Sequence, residues 1–487
     1  MTAPDRQHRT PLFDAMVALA EARKVSFHTP GHKSGKGIST RFRKYVGPRI
    51  FSIDLTTLDE VDCLQRPIGV IKEAQELAAE AYGADRSFFL VNGTTGGNHA
   101  MILATARPGD EIVTPRNVHK SILAGIILSG ARPCFFPPAY DPELGIALNV
   151  TRDAVEKALA AHPGARFLAL TSPNYYGVAA DTGALIALAH EGGRTVLVDE
   201  AHGPHLHFHP ALPPSAVDGG ADLCVQSTHK IVGGMTQASM LHVRGDRVDP
   251  ARVAGALQVL QSTSPSYILM ASLDLARMQM ATEGRKLLTK AVDLAEEARR
   301  RINALPGLAC LEARRVEASG DFRLDATKLT ISVGALGLTG FEASAQLNAE
   351  FDIQVEMADL LNVLVIVSIG DHRDDLDRLV AALEQLAARA RRGAKALPVP
   401  PPPAENRQHC APREAYFSPS VYRPLREAAG RTSADTITLY PPGVPILIPG
   451  EEVSPEAVEY LGFMAGRGAR VDGILELEEP HIRVIAD

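Results

Sequence analysis

One lysine in a short polar turn is the most chemically informative residue of this sequence. Lys230 follows Ser227, Thr228 and His229 and precedes two glycines, and the turn comes directly after an apolar run that ends at Gln226. Glycine lets a ligand approach the backbone closely. A lysine buried in such a pocket loses hydration of its ammonium group, which lowers its pKa and makes the amine a nucleophile. The pattern predicts a lysine that forms a Schiff base.

An aspartate upstream supplies the second part of this chemistry. Asp199 ends the apolar run 196–198, ahead of Lys230 in the chain. A carboxylate in that position can keep a pyridine nitrogen protonated. A lysine Schiff base together with an aspartate–pyridinium pair is typical of pyridoxal phosphate sites. Any one lysine is usually a hydrated surface residue, so the prediction of this cofactor depends on the combination.

A glycine-rich turn predicts where the phosphate of the cofactor binds. The apolar run 87–91 leads into Asn92-Gly93-Thr94-Thr95-Gly96-Gly97-Asn98, and a helix is predicted over 99–106. Backbone N–H groups and the dipole at a helix N-terminus bind anions. The turn lacks the Gly-Lys-Ser/Thr of a P-loop and the GxGxxG of dinucleotide-binding proteins. The turn therefore predicts a phosphate-binding site that differs from both of these motifs.

Short apolar strands alternate with helices around these residues. Strands are predicted at 87–91, 111–114, 132–136, 167–170, 195–198 and 223–226. The helices around them include 68–82, which ends at Gly83 as its C-cap, 151–161 and 182–191. This alternation predicts an α/β fold with a mostly parallel sheet that helices cover on both faces. Ligands of such sheets bind at the carboxyl ends of strands, which is where Thr94, His119, Asn174, Asp199 and Lys230 fall.

The second half of the chain has a different pattern. Two helices are predicted at 268–280 and 285–305, and a smaller unit follows with strands at 329–333 and 364–368 and helices at 341–350 and 374–392. A proline-rich stretch then reads as a stiff linker. We divide the chain into an N-terminal arm (1–60), a cofactor-binding large domain (61–290), a small α+β domain (291–395), the linker (396–404) and a C-terminal domain (405–487).

Composition and charge limit the class of protein. The chain of 487 residues is 45% hydrophobic and 22% charged, which is typical of a globular protein with several domains. A net charge of −7 and the lack of basic runs argue against a nucleic-acid or anionic-membrane partner. No apolar stretch is long enough to span a bilayer, and the N-terminus lacks the apolar core of a signal peptide.

The cysteines favour a cytoplasmic protein without a structural metal. They are odd in number and form no CxxC pair: Cys63, Cys134, Cys224, Cys310 and Cys410. This spacing indicates free thiols in a reducing compartment and predicts neither a disulfide framework nor a zinc site.

Taken together, the motifs resemble the bacterial ornithine/lysine/arginine decarboxylases, which are fold type I, aspartate aminotransferase-like enzymes that use pyridoxal phosphate. The matching stretches are 27–33, 90–98, 116–121, 199–203, 226–230, 262–267 and 440–451. They span nearly the whole chain. The resemblance implies a short form of the family, without the amino-terminal wing domain of its large inducible members.

The resemblance also implies roles for individual residues. Lys230 is the implied Schiff-base lysine, Asp199 the partner of the pyridine nitrogen, and His119 the residue that stacks on the cofactor ring. Further residues are implied to line the phosphate and substrate side of the cofactor: Thr94, Thr95, Ser227 and His229. Ala201 and His202 are implied to bind the cofactor as well.

Active sites of this family form at a dimer interface. Ser262 or Thr263 is therefore implied to reach the phosphate of the neighbouring subunit, and we expect a homodimer or larger homo-oligomer with shared sites.

The implied reaction is decarboxylation of lysine, ornithine or arginine to the corresponding amine, a step of polyamine biosynthesis. His229 or Lys230 is expected to return a proton to Cα. The distal cation of a basic amino acid requires carboxylates, and the candidate substrate ligands are Asp59, Glu60, Asp62, Asp435 and Glu451.

Other reactions stay open at this point. Family members usually carry Thr-Glu-Leu and Asp-Asp-Leu-His near the site entrance, where this chain has Thr56-Thr57-Leu58 and Asp62-Cys63-Leu64-Gln65. A transaminase, oxidase or eliminase would need an arginine to hold the α-carboxylate, and Arg373 is a candidate. A non-catalytic regulator is a further alternative, which the combination of Asp199, His119 and Lys230 disfavours.

Overall fold

The computed structural model describes residues 6–389, 400, 402–403, 406–440, 443–477 and 479–486. Its helices are α1 (Pro11–Glu21), α2 (Thr40–Val46), α3 (Val70–Tyr82), α4 (Gly93–Thr105), α5 (Lys120–Ser129), α6 (Arg152–Ala161), α7 (Thr182–Glu191), α8 (Thr228–Ile231), α9 (Pro250–Leu260), α10 (Tyr267–Asn303), α11 (Ala313–Val316), α12 (Gly340–Phe351), α13 (Arg373–Arg389), α14 (Pro412–Phe417) and α15 (Pro455–Gly466).

The strands are short, as the sequence predicts for a covered sheet. They are β1 (Arg86–Leu90), β2 (Glu111–Pro115), β3 (Arg132–Phe136), β4 (Tyr140–Asp141), β5 (Ile146–Ala147), β6 (Phe167–Thr171), β7 (Val178–Ala180), β8 (Thr195–Asp199), β9 (Leu223–Gln226), β10 (Ser239–Val243), β11 (Ala309–Cys310), β12 (Phe322–Leu324), β13 (Lys328–Ser332), β14 (Met357–Ala358), β15 (Asn362–Ile366), β16 (Ser420–Pro424), β17 (Ile437–Tyr440), β18 (Val444–Leu447), β19 (Arg470–Asp472), β20 (Ile474–Glu476) and β21 (Pro480–Ile485).

The first of two compact units comprises the chain up to Thr105 and Leu197–Leu288. In it β8 pairs in parallel with β9, and β10 is antiparallel to both of its neighbours, β9 and β1. Because the direction reverses at β10 and again at β1, β1 runs the same way as β8 and β9. The carboxyl ends of these three strands therefore lie at one edge.

Close packing of α4 on this sheet depends on a glycine. A Cβ at Gly97 would collide with the side chains of Val225 in β9 and Leu90 in β1. The glycine therefore lets the helix axis approach the strands, which places the N-terminus of α4 beside their carboxyl ends. Helix α3 ends at Gly83 in the left-handed conformation (φ +69°), the C-cap that the sequence predicts.

The second unit comprises Ala106–Val196 and Thr289–Asp487. In it β2 is parallel to both β3 and β6. A separate antiparallel sheet has the order β11-β13-β15-β14 and shares an apolar core with α12 and α13. The C-terminal part forms two small sheets, β16-β21-β20 and β18-β17-β19, around a core of its own.

The predicted alternation of strands and helices is confirmed, with three differences. Helix α4 begins at Gly93, so the glycine-rich turn is its first turn. Strand β10 has no counterpart among the predicted strands. The helices predicted at 268–280 and 285–305 are the single helix α10.

The glycine between the two predicted helices explains why α10 can continue through it as one helix. One glycine inside a helix costs only about 1 kcal/mol, and tertiary packing offsets this. A Cβ at Gly284 would lie 3.0 Å from Met280 Cε and 3.3 Å from Phe208 Cβ, so this glycine allows a neighbouring loop to pack closely.

Two sequence expectations extend beyond the described residues. Most of the predicted linker 396–404 lies outside them, as does the end of the helix predicted at 374–392. Within the described ranges, no helix combines the length and the apolar character needed to cross a membrane.

Candidate active site

Strand register brings three polar positions to the carboxyl edge of the first unit's sheet. Asp199 ends β8 and pairs with Val225 in β9, and Gln226 at the end of β9 pairs with Met240 in β10. Ser239, which begins β10, pairs with Leu90 at the end of β1. The helices that follow β1 and β9 carry Thr94 and Lys230, so the predicted residues of this unit meet at the edge that the sequence predicts.

Lys230 lies in the one-turn helix α8 that follows β9. Its Nζ is 2.7 Å from Nε2 of His202, and the side chain is partly buried while His202 is only 2% exposed. An amine attacks a carbonyl carbon only after it loses its proton. The imidazole contact gives that proton an acceptor, so the geometry suits a nucleophilic amine.

Asp199 is a buried carboxylate with neutral hydrogen-bond donors. Its exposure is 2%, Asn98 Nδ2 donates to Oδ2 at 2.8 Å and the backbone N–H of Ala201 donates to Oδ1 at 3.1 Å. Neutral donors orient a carboxylate but leave its charge uncompensated, and a buried charge is costly unless it is paired. The arrangement therefore suits a ligand that presents a cationic N–H group.

A group of hydroxyls surrounds the N-terminus of α4. Thr94 Oγ1 is hydrogen bonded to Ser227 Oγ and lies 3.2 Å from Ser239 Oγ. Oγ1 of Thr228 is buried and has no hydrogen-bond partner among the described residues. The first N–H groups of a helix have no intrahelical acceptor. Hydroxyls and helix N–H groups together can bind a phosphate.

These features fit pyridoxal phosphate. Lys230 can bond to its aldehyde carbon, Asp199 can accept the pyridinium N–H, and the hydroxyls at the start of α4 can donate to its phosphate. The orphaned hydroxyl of Thr228 and the uncompensated charge of Asp199 are the observations that carry this fit, because a ligand of this kind satisfies both.

His119 belongs to the second unit, where it is the N-cap of α5. Its Nδ1 accepts the backbone N–H of Ser121 at 3.2 Å and lies 2.7 Å from Ser121 Oγ. These contacts fix the orientation of the ring. Its stacking on the cofactor stays a prediction.

Among the other predicted cofactor residues, His229 contacts a backbone carbonyl and the remaining three described here are exposed. Nδ1 of His229 is 3.1 Å from the carbonyl oxygen of Ala238, and Thr95 is exposed. Ser262 and Thr263 are exposed as well, and the carbonyl of Ser262 accepts a hydrogen bond from the side chain of Gln65 at 3.1 Å. Their contacts with cofactor or substrate stay predictions.

The carboxylate of Asp62, a predicted substrate ligand, is occupied by backbone donors of the chain itself, and its contact with substrate stays a prediction. Its carboxylate is buried and accepts hydrogen bonds from the backbone N–H groups of Cys63, Ile68, Gly69, Ile71 and Lys72. Asp62 therefore caps the N-terminus of α3, where unpaired N–H groups and the helix dipole favour a negative charge.

Glu451, another predicted substrate ligand, likewise has partners within the chain, and its contact with substrate stays a prediction. It is 2% exposed and forms a two-pronged ion pair with Arg116, with N–O distances of 2.5 and 2.8 Å. It also accepts the backbone N–H of Ile448 at 3.0 Å. A bidentate pair of this kind occupies both carboxylate oxygens, so Glu451 holds the second unit together.

The remaining charged candidates lie near the surface. Asp59 and Glu60 are exposed, and Glu60 pairs with Lys24. Asp435 lies 3.2 Å from Arg483, and substrate contact by Asp59 or Asp435 stays a prediction. Arg373, the residue named for a transaminase, oxidase or eliminase, is exposed and pairs with Glu297 at 2.7 Å.

Sequence reasoning left three residues of this edge without a role: Asn98, Ser239 and Glu200. Asn98 lies four residues after Thr94 on α4, a spacing that places both on one face of the helix and could have identified it. Ser239 gave no signal because β10 was not predicted. Glu200 follows Asp199 directly, and successive residues of an extended chain point to opposite sides, so it lies away from the cofactor residues.

Glu200 is the centre of a buried network behind the site. Its carboxylate accepts the hydroxyl of Ser215 at 2.8 Å, the N–H of Ala216 at 2.6 Å and the side-chain amide of Gln226 at 2.6 Å. Burial raises the pKa of Glu200 to about 7 from its ordinary value of 4.5, although these donors oppose the shift. The network connects Glu200, the residue after Asp199, to Gln226, which ends the strand that leads into α8 and Lys230.

The raised pKa makes a testable prediction about stability. Between pH 4.5 and 7 the folded chain keeps the Glu200 proton that the unfolded chain releases, so the free energy of unfolding falls as the pH rises. A shift of this size corresponds to a loss of about 3 kcal/mol over that range. Urea unfolding of the wild type and of Glu200→Gln at several pH values measures it. Parallel pH dependences for the two proteins would contradict the assignment.

Comparison with known proteins identifies the family. Residues 10–375 match the model described as Orn/Lys/Arg decarboxylase, major domain, and residues 404–474 match that of its C-terminal domain. A protein of Halalkalibacterium halodurans named arginine decarboxylase is 45% identical over 473 residues, which cover 96% of each chain. The arginine decarboxylase of Bacillus subtilis is 43% identical over 488 residues, which cover 99% of each chain.

A solved structure shows the same fold. Lysine decarboxylase A from Pseudomonas aeruginosa matches with a TM-score of 0.84 at 23% identity, over 98% of this chain and 80% of that chain. The predicted fold type I architecture is thereby confirmed. The chain belongs to the Orn/Lys/Arg decarboxylase family and is a pyridoxal phosphate-dependent decarboxylase of a basic amino acid.

Proposed function

We propose that the substrate is arginine and that the product is agmatine. The observation that carries this proposal is the 45% identity, over 96% of both chains, to a relative named arginine decarboxylase. A second relative with that name is 43% identical over 99% of both chains. Agmatine formation would place the enzyme in polyamine biosynthesis.

The cofactor and the buried aspartate have complementary tasks in this proposal. When bound, pyridoxal phosphate supplies an electron sink for the electron pair left at Cα as carbon dioxide departs. Asp199 would keep the pyridine nitrogen protonated, and Asn98 and the N–H of Ala201 orient its carboxylate for that contact. A fixed carboxylate in a buried site needs no reorganisation during the reaction, which favours a fast step.

Lys230 is the better supported of the two candidates for the proton donor to Cα. Its Nζ contacts Nε2 of His202 at 2.7 Å, so the imidazole can exchange a proton with the amine at each turnover. Nδ1 of His229 instead lies 3.1 Å from the backbone carbonyl of Ala238. If this ring nitrogen donates to that carbonyl, only Nε2 remains for proton transfer.

The proposal includes a homodimer with shared active sites. Ser262 and Thr263 are exposed in the single chain, as residues that reach a partner's phosphate must be. The side chain of Gln65 supports their turn by donating to the carbonyls of Gln261 and Ser262, at 3.0 and 3.1 Å. Gln65 stands where family members usually have histidine, and it has a positioning role in this proposal.

The test is carbon dioxide and amine formation from arginine, lysine and ornithine, with pyridoxal phosphate supplied. We expect kcat/KM for arginine to exceed the other two values by about 100-fold or more, because a site that hydrogen-bonds a guanidinium is left with unpaired groups by an ammonium. Equal or higher values for lysine or ornithine would contradict arginine as the substrate. Keto acid, peroxide or ammonia without carbon dioxide would contradict decarboxylation itself.

A further inference from the structure

The second unit contains a cavity of about 410 Å³ for which the reaction gives no role. Its wall is largely apolar and includes Phe341, Leu439, Ile446 and Met464. Cavities of roughly 300–1,000 Å³ with mostly apolar walls and a few polar groups are typical of small-molecule sites. The polar groups of the wall therefore indicate what chemistry a ligand would have.

Aromatic rings and hydrogen-bond acceptors are prominent among these groups. Three tyrosines, Tyr140, Tyr176 and Tyr460, join Phe341 in the wall. Asn117 lines the cavity too. Four aromatic rings around one cavity favour a ligand with a cationic group, because the face of each ring carries a negative electrostatic potential.

The charges of the wall do not balance. Arg116 is neutralised by the ion pair with Glu451 and also donates to the carbonyl of Ile446 at 2.9 Å. Asp359 is an acid of the wall, and its donors are neutral: the hydroxyl of Tyr176 at 2.8 Å and the amides of the 361–362 turn. The carboxylate of Asp359 is therefore left without a cationic partner among the described residues.

Two tyrosines of the wall lie close enough to Asp359 for its charge to affect their pKa. Burial, followed by the charge of Asp359, raises the pKa of Tyr140 above its ordinary value. Burial is also the main cause of the raised pKa of Tyr460, with smaller contributions from Tyr140 and Asp359. Both phenols are thus neutral at physiological pH and present their rings and hydroxyls to the cavity.

We propose that this cavity binds an organic cation with N–H donors, of the size of a short alkylguanidinium or alkylammonium ion. Aromatic faces attract such cations, a desolvated contact more strongly than an exposed one. Asp359 would supply the opposite charge, and the tyrosine rings would contact the cation. The amine that the enzyme forms belongs to this class, so the cavity is a candidate site for response to product. The choice of guanidinium over ammonium rests on the proposed function, whereas the cationic class does not.

One residue that lines the cavity is close in sequence to His119, a predicted catalytic residue. Asn117 stands two residues before His119, at the start of the segment that leads into α5. A bound cation would therefore contact the loop that carries His119.

The test compares two isosteric probes, butylguanidinium and the neutral butylurea, by calorimetric titration of the holoenzyme. Neither has a primary alkyl amine, so neither can condense with the cofactor aldehyde. We expect butylguanidinium to bind at least about tenfold more tightly than butylurea. Tyr460→Leu, which keeps an apolar side chain but removes the aromatic face, should weaken butylguanidinium binding about tenfold.

Tyr422→Leu is the matched control, because Tyr422 is exposed and is not among the residues that line the cavity. The affinity of this variant for butylguanidinium should equal that of the wild type. Tyr140→Leu serves as the second variant if Tyr460→Leu does not fold. Equal affinity for the two probes, no binding of butylguanidinium, or unchanged binding in the folded variants would overturn the proposal. Carbon dioxide release from arginine, measured on the same preparations, tests the proposed function separately, since either result can fail without the other.

Discussion

Replacement of Lys230 by alanine should reduce decarboxylation by about 10³-fold or more and remove the visible absorbance of the bound cofactor. The reason is that, in our proposal, Nζ of Lys230 has two tasks: it bonds to the cofactor and returns a proton to Cα. Loss of a single acid–base group alone typically costs 10²–10⁴-fold. Carbon dioxide release under saturating substrate and the absorbance spectrum of the purified variant measure the two effects.

Lys157→Ala is a suitable control for this experiment. Lys157 is an exposed lysine of α6 that pairs with Asp153 on the same helix, at 2.7 Å. Its replacement should leave both activity and spectrum unchanged, because exposed pairs of this kind contribute little. A Lys230→Ala protein that kept the wild-type spectrum and rate would remove Lys230 from the site.

Replacement of Asp199 by asparagine should lower kcat by about 10²–10⁴-fold with a much smaller change in KM. Asparagine has nearly the same shape, but its neutral amide cannot stabilise a pyridinium charge. It also presents an N–H₂ group where Asp199 accepts hydrogen bonds from Asn98 and Ala201. The kcat and KM for arginine, together with a cofactor titration, separate loss of chemistry from loss of binding.

The matched control for Asp199→Asn is Asp222→Asn. Asp222 is equally buried but directly precedes β9, so it lies at the opposite edge of the sheet from Gln226. We expect this variant to keep its kcat even if its stability falls. Equal losses of kcat in both variants would mean that Asp199 acts only through the fold.

The sequence determined the chemistry because that chemistry depends on residue types at the ends of strands. An apolar run predicts a covered strand, and the residue after it must lie at the sheet edge, which is how Asp199 and Lys230 could be assigned from local pattern alone. The same reasoning predicted the alternation of helices and strands and the Gly83 cap of α3. Each of these signals lies within a few neighbouring residues.

The tertiary structure decided which partners the charged and polar side chains take. Asp62 and Glu451 look alike in sequence as loop acids, yet one caps α3 and the other pairs with Arg116, which is 335 residues away in the chain. The contact of Lys230 with His202 depends on the parallel pairing of β8 and β9. The cluster of hydroxyls of Thr94, Ser227 and Ser239 depends on the reversal of direction at β10. A carboxylate or amine is satisfied by whichever donor or acceptor the fold brings within about 3 Å. That choice is made by long-range packing, so the local sequence pattern does not contain it.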